Sequence, residues 1–138
     1  KINQMDVFTK KKRSEIMSKI RSKNTKVELM VFRELRKRKI YFQKHYKKAF
    51  GKPDVALPRK KKAVFIDGDF WHGRDFKKTK NRLPKKYWVP KIKANIKRDK
   101  KNRIKLRNSG WKVSRVWEHD LQNNFDKNIN KIIYFLNK

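Results

Sequence analysis

The pattern of apolar and polar positions along the chain predicts four helices and four strands. Apolar residues recur every three or four positions in the segments assigned to helices, which is the period of a helix with one buried face. Thr25 and Glu28 have the spacing of a capping box, and this marks the start of the second helix. The helices are predicted over residues 10–22, 25–39, 89–108 and 122–137.

The strands are interleaved with those helices in an order that indicates the fold class. They are predicted over residues 40–45, 53–57, 63–67 and 111–117. The order α, α, β, β, β, α, β, α is typical of an α/β domain with a mixed sheet flanked by helices. Residues 68–88 contain two glycines and a proline without a sustained period, so we interpret them as a long functional loop. We expect a basic N-terminal arm over 1–24 and a single domain over 25–138.

The charge of the chain indicates nucleic acid as its partner. Its 138 residues include 43 Lys and Arg against 12 Asp and Glu, for a formal net charge of +31. Such an excess destabilises a compact domain unless a polyanion is bound nearby. The cations are interleaved with aromatic and aliphatic residues, as in a folded domain, rather than gathered in a tail. Charge alone would suit a non-catalytic basic protein that binds DNA or RNA.

The sequence lacks long apolar segments and cysteine, and both absences narrow the class of protein further. No apolar run approaches the roughly 18 residues that a membrane span requires, and no secretory signal core is visible near the start. We therefore expect a soluble cytoplasmic protein without membrane partners. The chain contains no cysteine, which excludes disulfides and thiolate zinc ligands.

Carboxylates are scarce in this chain, so their positions are informative. Asp54 lies near the start of one predicted strand and Asp67 at the end of the next, which can bring both to the same end of a hairpin. Oxygen ligands gathered there would suit Mg²⁺, which binds one or two carboxylates together with water and phosphate oxygens. In so basic a chain, each carboxylate alone is well explained as a solvated partner of a nearby lysine, whereas the pair beside a single histidine favours a metal site.

Other candidate residues have structural as well as functional interpretations. His72 could act as a general base near a metal-bound water, or it could be a hydrogen-bonded residue of the loop. The capping box already explains Glu28, and Asn95 and Asp99 share a helix face, as solvated pairs often do. Three aromatic residues of the loop region could stack on bases or close over the sheet edge: Phe70, Trp71 and Trp88.

Several short motifs, in their order and spacing, resemble the very-short-patch repair endonucleases. The most specific is the segment DGDFWHG, from Asp67 to Gly73. It is followed by Asn95, Arg98-Asp99 and Trp117-Glu118, and preceded by Arg13-Ser14, Met17, Asn24-Thr25, Glu28 and Pro53-Asp54. The resemblance extends over about residues 6–120. It implies a restriction-endonuclease-like fold and a DNA endonuclease that hydrolyses a phosphodiester bond.

The resemblance also implies roles for individual residues. Asp54 would bind Mg²⁺ together with the backbone carbonyl of Ile66, and His72 would activate the attacking water. Glu28, Asp67 and Asp99 match the other polar positions of the active site. The implied contacts to double-stranded DNA are the intercalating aromatics Phe70, Trp71 and Trp88 and the minor-groove residue Met17. Further DNA contacts are predicted from Lys10, Lys11, Lys12, Arg13 and Asn95.

One departure from the family concerns zinc. Zinc-containing members bind a structural ion through cysteines and a histidine, and this chain has Asp69, Arg74, Phe76 and His119 at those places, so no structural zinc is expected. The resemblance implies nicking 5′ to the T of a T:G mismatch. We expect a monomer, with repair-pathway proteins as further partners. The alternative among enzymes is a related restriction or homing endonuclease that cuts matched DNA.

Overall fold

A computed structural model describes residues 25–68 and 88–138, with only the backbone of Trp88. The helices in these ranges are α1 (Lys26–Lys37), α2 (Trp88–Asn108), α3 (Glu118–Asn123) and α4 (Phe125–Asn137). The strands are β1 (Gln43–Lys44), β2 (Val55–Leu57), β3 (Lys62–Asp67) and β4 (Lys112–Trp117). The predicted helix over 10–22 lies outside the described residues. Among the helices named here, none is long and apolar enough to cross a membrane.

The strands form one mixed sheet in the order β1, β2, β3, β4. The first three strands pair antiparallel, and β3 pairs with β4 in parallel. A parallel pair needs a long crossover connection, and α2 lies within that connection along the chain. The predicted α/β class, with a mixed sheet flanked by helices, is therefore confirmed, and it is consistent with a restriction-endonuclease-like fold.

The first strand is shorter than the sequence predicts. Of residues 40–45, only Gln43–Lys44 pairs with β2. Lys39 has a φ of 59°, and the N–H of Ile40 donates to the carbonyl of Leu35 at 2.9 Å. These are the features of a helix C-terminus closed by a left-handed residue, so the chain is still leaving α1 where the strand was expected to begin.

The C-terminal helix is divided into two. The prediction of one helix over 122–137 is therefore wrong at its N-terminal end. α3 ends at Asn123 and α4 begins at Phe125. Asn124 between them leaves the helical conformation, and its side chain accepts a hydrogen bond from the N–H of Lys127 at 3.2 Å. An asparagine in this position satisfies a free N–H of the new helix and therefore favours a second start.

The two faces of the sheet are packed to different extents. Side chains alternate between faces along a strand, so Val64 and Ile66 point to one side while Ala63 and Phe65 point to the other. On the first side, 13 buried apolar residues of the described part of the chain form a core, and they come from α1, α3, α4 and the strands. On the second side, 3 of the described residues are buried in a core, and Leu106 is the one that α2 supplies. The acidic residues lie at the end of the sheet where β2 begins and β3 ends.

Candidate active site

The pairing of β2 with β3 brings Asp54 and Asp67 to one end of the sheet. Asp54 directly precedes β2 and Asp67 ends β3, and Val55 lies opposite Val64 in the antiparallel pair. Asp54 Oδ2 accepts a hydrogen bond from the backbone N–H of Ile66 at 2.6 Å. The predicted convergence of the two carboxylates is therefore found, while their catalytic roles remain predictions.

Helix α1 contributes Glu28 to the same end of the sheet. The backbone N–H of Glu28 donates to Thr25 Oγ1 at 3.1 Å, so Thr25 is the helix cap that the spacing predicts. The residue is only 2% exposed, and its Oε1 lies 3.0 Å from Nε2 of His45. Capping therefore accounts for the backbone of Glu28, whereas its carboxylate lies in the candidate site.

His45 is a residue of the site that the sequence patterns did not single out. It follows β1, and its N–H donates to the carbonyl of Asp54 at 3.1 Å. Its Nε2 lies 3.8 Å from Asp54 Oδ1. A signal was available, because His45 is one of three histidines and ends the predicted strand 40–45. Antiparallel pairing of that strand with residues 53–57 places it beside Asp54.

Glu28, His45 and Asp54 together form a compact cluster. One candidate ligand atom from each residue lies within 4.8 Å of the others. Burial, followed by the negative charge of Glu28, raises the pKa of the Asp54 carboxyl well above its ordinary value, and the N–H of Ile66 opposes this only in part. Two buried carboxylates at this spacing repel each other unless a proton or a cation lies between them. The cluster has the donors and the charge to hold a divalent cation.

Asp67 lies on the other side of the sheet, which faces α2. Its Oδ2 accepts a hydrogen bond from Nε of Arg115, on β4, at 2.5 Å. Asp67 and Asp99 line one small pocket together with Arg103. Burial, followed by the charge of Arg115, lowers the pKa of Arg103, and the two aspartates act in the opposite direction. Asp67 and Asp99 thus form a second acidic group, whose neighbours are guanidinium groups.

Asn95 belongs to the α2 side of the site. It precedes Asp99 by about one helical turn, and both residues are partly buried. Trp88 is the first residue of α2. His119, one of the residues at the family's zinc positions, lies on α3, where its Nε2 is 2.8 Å from Nδ2 of Asn123. These placements leave the predicted DNA contacts of Asn95 and Trp88 as predictions.

The other predicted site residues lie outside the described residues. His72 and the aromatic pair Phe70 and Trp71 belong to this group. The same holds for the arm residues Lys10, Lys11, Lys12, Arg13 and Met17, and for Asp69, Arg74 and Phe76 of the zinc positions. Their roles stay predictions from the sequence.

The sequence of the chain is similar to those of known proteins. A family model described as DNA mismatch endonuclease Vsr matches residues 5–78, which include Glu28, His45 and Asp54. The type II nicking enzyme V.NmeAIP of Neisseria meningitidis serogroup A is 42% identical over 86% of this chain and 85% of its own length.

Two further relatives extend over most of the chain. The type II nicking enzyme V.HpaIIP of Haemophilus parainfluenzae is 37% identical over 94% of this chain and 96% of its own length. The DNA mismatch endonuclease Vsr of Escherichia coli is 30% identical over 82% of this chain and 73% of its own length. These matches continue beyond β3 into the C-terminal half, where Asp99 lies.

Proposed function

The chain belongs to the Vsr family of DNA endonucleases, and from this membership we propose that it is a Mg²⁺-dependent enzyme that nicks one strand of duplex DNA 5′ to the T of a T:G mismatch. The observation that carries the proposal is the pair of buried carboxylates at one end of the sheet. Glu28 is 2% and Asp54 is 8% exposed, and both contact His45. Buried acids in so basic a chain are expected where a cation is bound.

In this proposal, Asp54 and the carbonyl of Ile66 hold the ion. The N–H of Ile66 already bonds to the Asp54 side chain. Because the N–H and C=O of one residue in a strand point to the same neighbouring strand, the Ile66 carbonyl is directed to the side of Asp54. Mg²⁺ binds carboxylate and carbonyl oxygens and keeps sites for water and phosphate oxygens. When bound, it would polarise the scissile phosphate and lower the pKa of a bound water.

The remaining residues are assigned by their chemistry and by the resemblance to the family. His72 acts as the general base toward the attacking water, since an imidazole titrates close to working pH. Asp67 and Asp99, which line one pocket near Arg103, complete the acidic surroundings of the phosphate. Glu28 takes part through the cluster it forms with Asp54.

Recognition of the DNA is assigned to the arm, the loop and α2. Phe70, Trp71 and Trp88 would insert at the mismatch, and Met17 would enter the opposite groove. The cations of residues 10–13 and Asn95 on α2 would contact the DNA around these wedges. A T:G pair is stacked almost like a normal pair, so the wedges would exploit its lower cost of unstacking.

A second candidate is a nicking enzyme that acts at a matched sequence. Several relatives carry the name type II nicking enzyme, without mention of a mismatch. Both candidates use the same acidic cluster and differ only in the DNA that is recognised. The choice between them therefore depends on the substrate.

The experiment compares strand cleavage on two duplexes that differ at one base pair. The full chain is incubated with Mg²⁺ and a strand-labelled duplex that contains either T:G or T:A in the same sequence, and each strand is resolved on a denaturing gel. We expect a single nick 5′ to the T of the T:G duplex. The Asp54→Asn variant, which keeps the shape of the side chain, should leave both duplexes intact and so exclude a contaminating nuclease.

The outcomes separate the candidates. Equal nicking of T:G and T:A duplexes would contradict mismatch recognition and favour the matched-sequence enzyme. Cleavage of both strands would contradict nicking in either form. Cleavage by Asp54→Asn at the wild-type rate would remove Asp54 from the active site.

A further inference from the structure

His45 is held in place by three contacts that fix the position of its ring. The backbone N–H donates to the Asp54 carbonyl, and the ring meets the Phe32 ring edge-on at a centroid distance of 5.7 Å. The third contact joins Nε2 to Oε1 of Glu28 at 3.0 Å. The residue also has a φ of 47°, in the left-handed region that residues other than glycine seldom adopt. Backbone strain of this kind is concentrated at functional sites.

The distances within the cluster match those between ligands of one metal ion. An ion with bonds of about 2.1 Å separates its ligand atoms by about 3.0 Å at right angles and by about 4.2 Å when they are opposite. His45 Nε2 lies 3.0 Å from Glu28 Oε1 and 3.8 Å from Asp54 Oδ1. Both separations fall in that interval before any ion is bound. An ion at the centre would replace the hydrogen bond between His45 and Glu28.

We propose that His45 Nε2 is a direct ligand of the divalent ion, together with Glu28 and Asp54, and that this nitrogen makes the site prefer Mn²⁺ to Mg²⁺. The inference rests on the proposed metal-dependent function and adds Glu28 and His45 to the ligands named there, Asp54 and the carbonyl of Ile66. Oxygen donors suit Mg²⁺, whereas imidazole nitrogen favours transition-metal ions. A site with two carboxylates and one imidazole therefore discriminates between ions that an all-oxygen site treats more equally.

A different role for His45 would be to orient Glu28 by a hydrogen bond without touching the ion. Both roles predict a loss of activity when His45 is replaced, so activity cannot separate them. A bond between nitrogen and metal leaves a spectroscopic signature that a hydrogen bond does not. Mn²⁺ is paramagnetic, and a directly bound imidazole nitrogen couples to its electron spin.

The first measurement is pulsed electron paramagnetic resonance of the full chain loaded with Mn²⁺. We expect an imidazole nitrogen coupling in the wild type, and its loss in His45→Asn. Asparagine is chosen because it tolerates a positive φ better than other residues while it removes the ring. The control is the double variant His72→Asn/His119→Asn, which leaves His45 as the one histidine among the three of the chain. The coupling should persist in that protein.

The second measurement is the affinity for each ion, by titration of Mn²⁺ and of Mg²⁺ in the absence of DNA. His45→Asn should weaken Mn²⁺ binding by roughly tenfold or more and Mg²⁺ binding by clearly less. Circular dichroism establishes that the variant is folded. If it is not, the double variant still tests the proposal, because it retains His45.

The results that overturn the proposal differ from those that overturn the proposed function. A coupling that survives in His45→Asn, or disappears in the double variant, shows that another group is the nitrogen ligand. Nicking by a wild-type protein that shows no coupling would preserve the proposed function and reject His45 as a ligand. A coupling that depends on His45, in a protein that never cuts DNA, would support His45 as a ligand and reject the proposed function.

Discussion

The helices α4 and α2 lie on opposite faces of the sheet and are stabilised in different ways. In the 13 residues of α4 there are 2 lysines, and four apolar residues are buried: Ile129, Ile132, Ile133 and Leu136. In the 21 residues of α2 there are 9 Lys and Arg, and among its described side chains Ile92 and Leu106 are the buried apolar ones. Burial of an apolar stripe accounts for α4. For α2, mutual repulsion of the cations opposes folding until an anion is near.

The difference indicates a division of labour between the two faces. The α1 and α4 face supplies stability and also positions Glu28 and His45. The α2 face supplies positive charge, and it holds Asp67 and Asp99 between guanidinium groups. Among the described residues, the proposed metal cluster thus lies on the side with the larger core, while the α2 side carries the positive charge that suits duplex DNA.

The largest expected effect is on nicking, and it comes from a variant of Asp54, at the end of the sheet that carries the acidic residues. Asp54→Asn should reduce nicking by at least about 10³-fold, because it removes a charged oxygen from the proposed ion. Its affinity for DNA should change by less than about threefold, since binding by a strongly basic chain rests on phosphate contacts. Cleavage and filter-binding assays on the same duplex measure both quantities. A parallel loss of affinity would contradict the division between chemistry and binding.

The next largest effect is expected on the free energy of unfolding, and it is tested with one leucine from each face. Leu35 is 0% exposed within the larger core and Leu106 is 1% exposed within the smaller one. Leu35→Ala should lower the free energy of unfolding by about 3–5 kcal/mol, and Leu106→Ala by about 2–3 kcal/mol, because a small cluster with partly exposed neighbours collapses more easily around a cavity. Urea denaturation gives both values. Equal losses would mean that the two faces contribute alike to stability.

A smaller effect concerns the charges of the two helices. Lys93 and Lys97 on α2 and Lys127 and Lys131 on α4 are matched exposed pairs, four residues apart. Lys93→Gln/Lys97→Gln should weaken DNA binding and reduce the slope of log affinity against log salt by about 1.8, or about 0.9 for each contact. Lys127→Gln/Lys131→Gln is the control and should leave the slope unchanged. A change of slope in the control alone would assign the DNA to the other face.

The smallest effect is on the stability of the metal-free protein. Folding raises the pKa of Asp54. The contribution of the protonated carboxyl to folding stability is therefore fully present below the ordinary aspartate pKa of about 3.9, and it is lost as the pH rises through the pKa of the folded state. At neutral pH the buried carboxyl therefore contributes less to stability than an uncharged side chain of the same shape would. Asp54→Asn should raise the melting temperature by a few degrees there, with a gain of about 1 kcal/mol that shrinks toward pH 4. A lower melting temperature of the variant at neutral pH would contradict this.

The fold could largely be predicted because most elements have a strong local signal. The apolar period from Val27 to Leu35 and the cap at Thr25 are both features of neighbouring residues, and both are confirmed. The errors arose where a local pattern met a competing contact. Asn124 starts a new helix by capping Lys127, and Ile104 has helical spacing but is 46% exposed.

The candidate site, like the fold, could be predicted where the signal lies in residues that are close in the sequence. The sequence by itself determined the class of protein, through its charge and the DGDFWHG motif, and it determined that Asp54 and Asp67 would share one end of a hairpin. Both conclusions depend on residues that are close in sequence or joined by a short turn. The tertiary structure decided that Glu28 turns its carboxylate to His45, and that Asp67 faces α2 rather than the proposed metal cluster. The contact of Glu28 with His45 joins residues 17 positions apart on a helix and a strand end, so it depends on how those elements pack, which no local pattern of residues records.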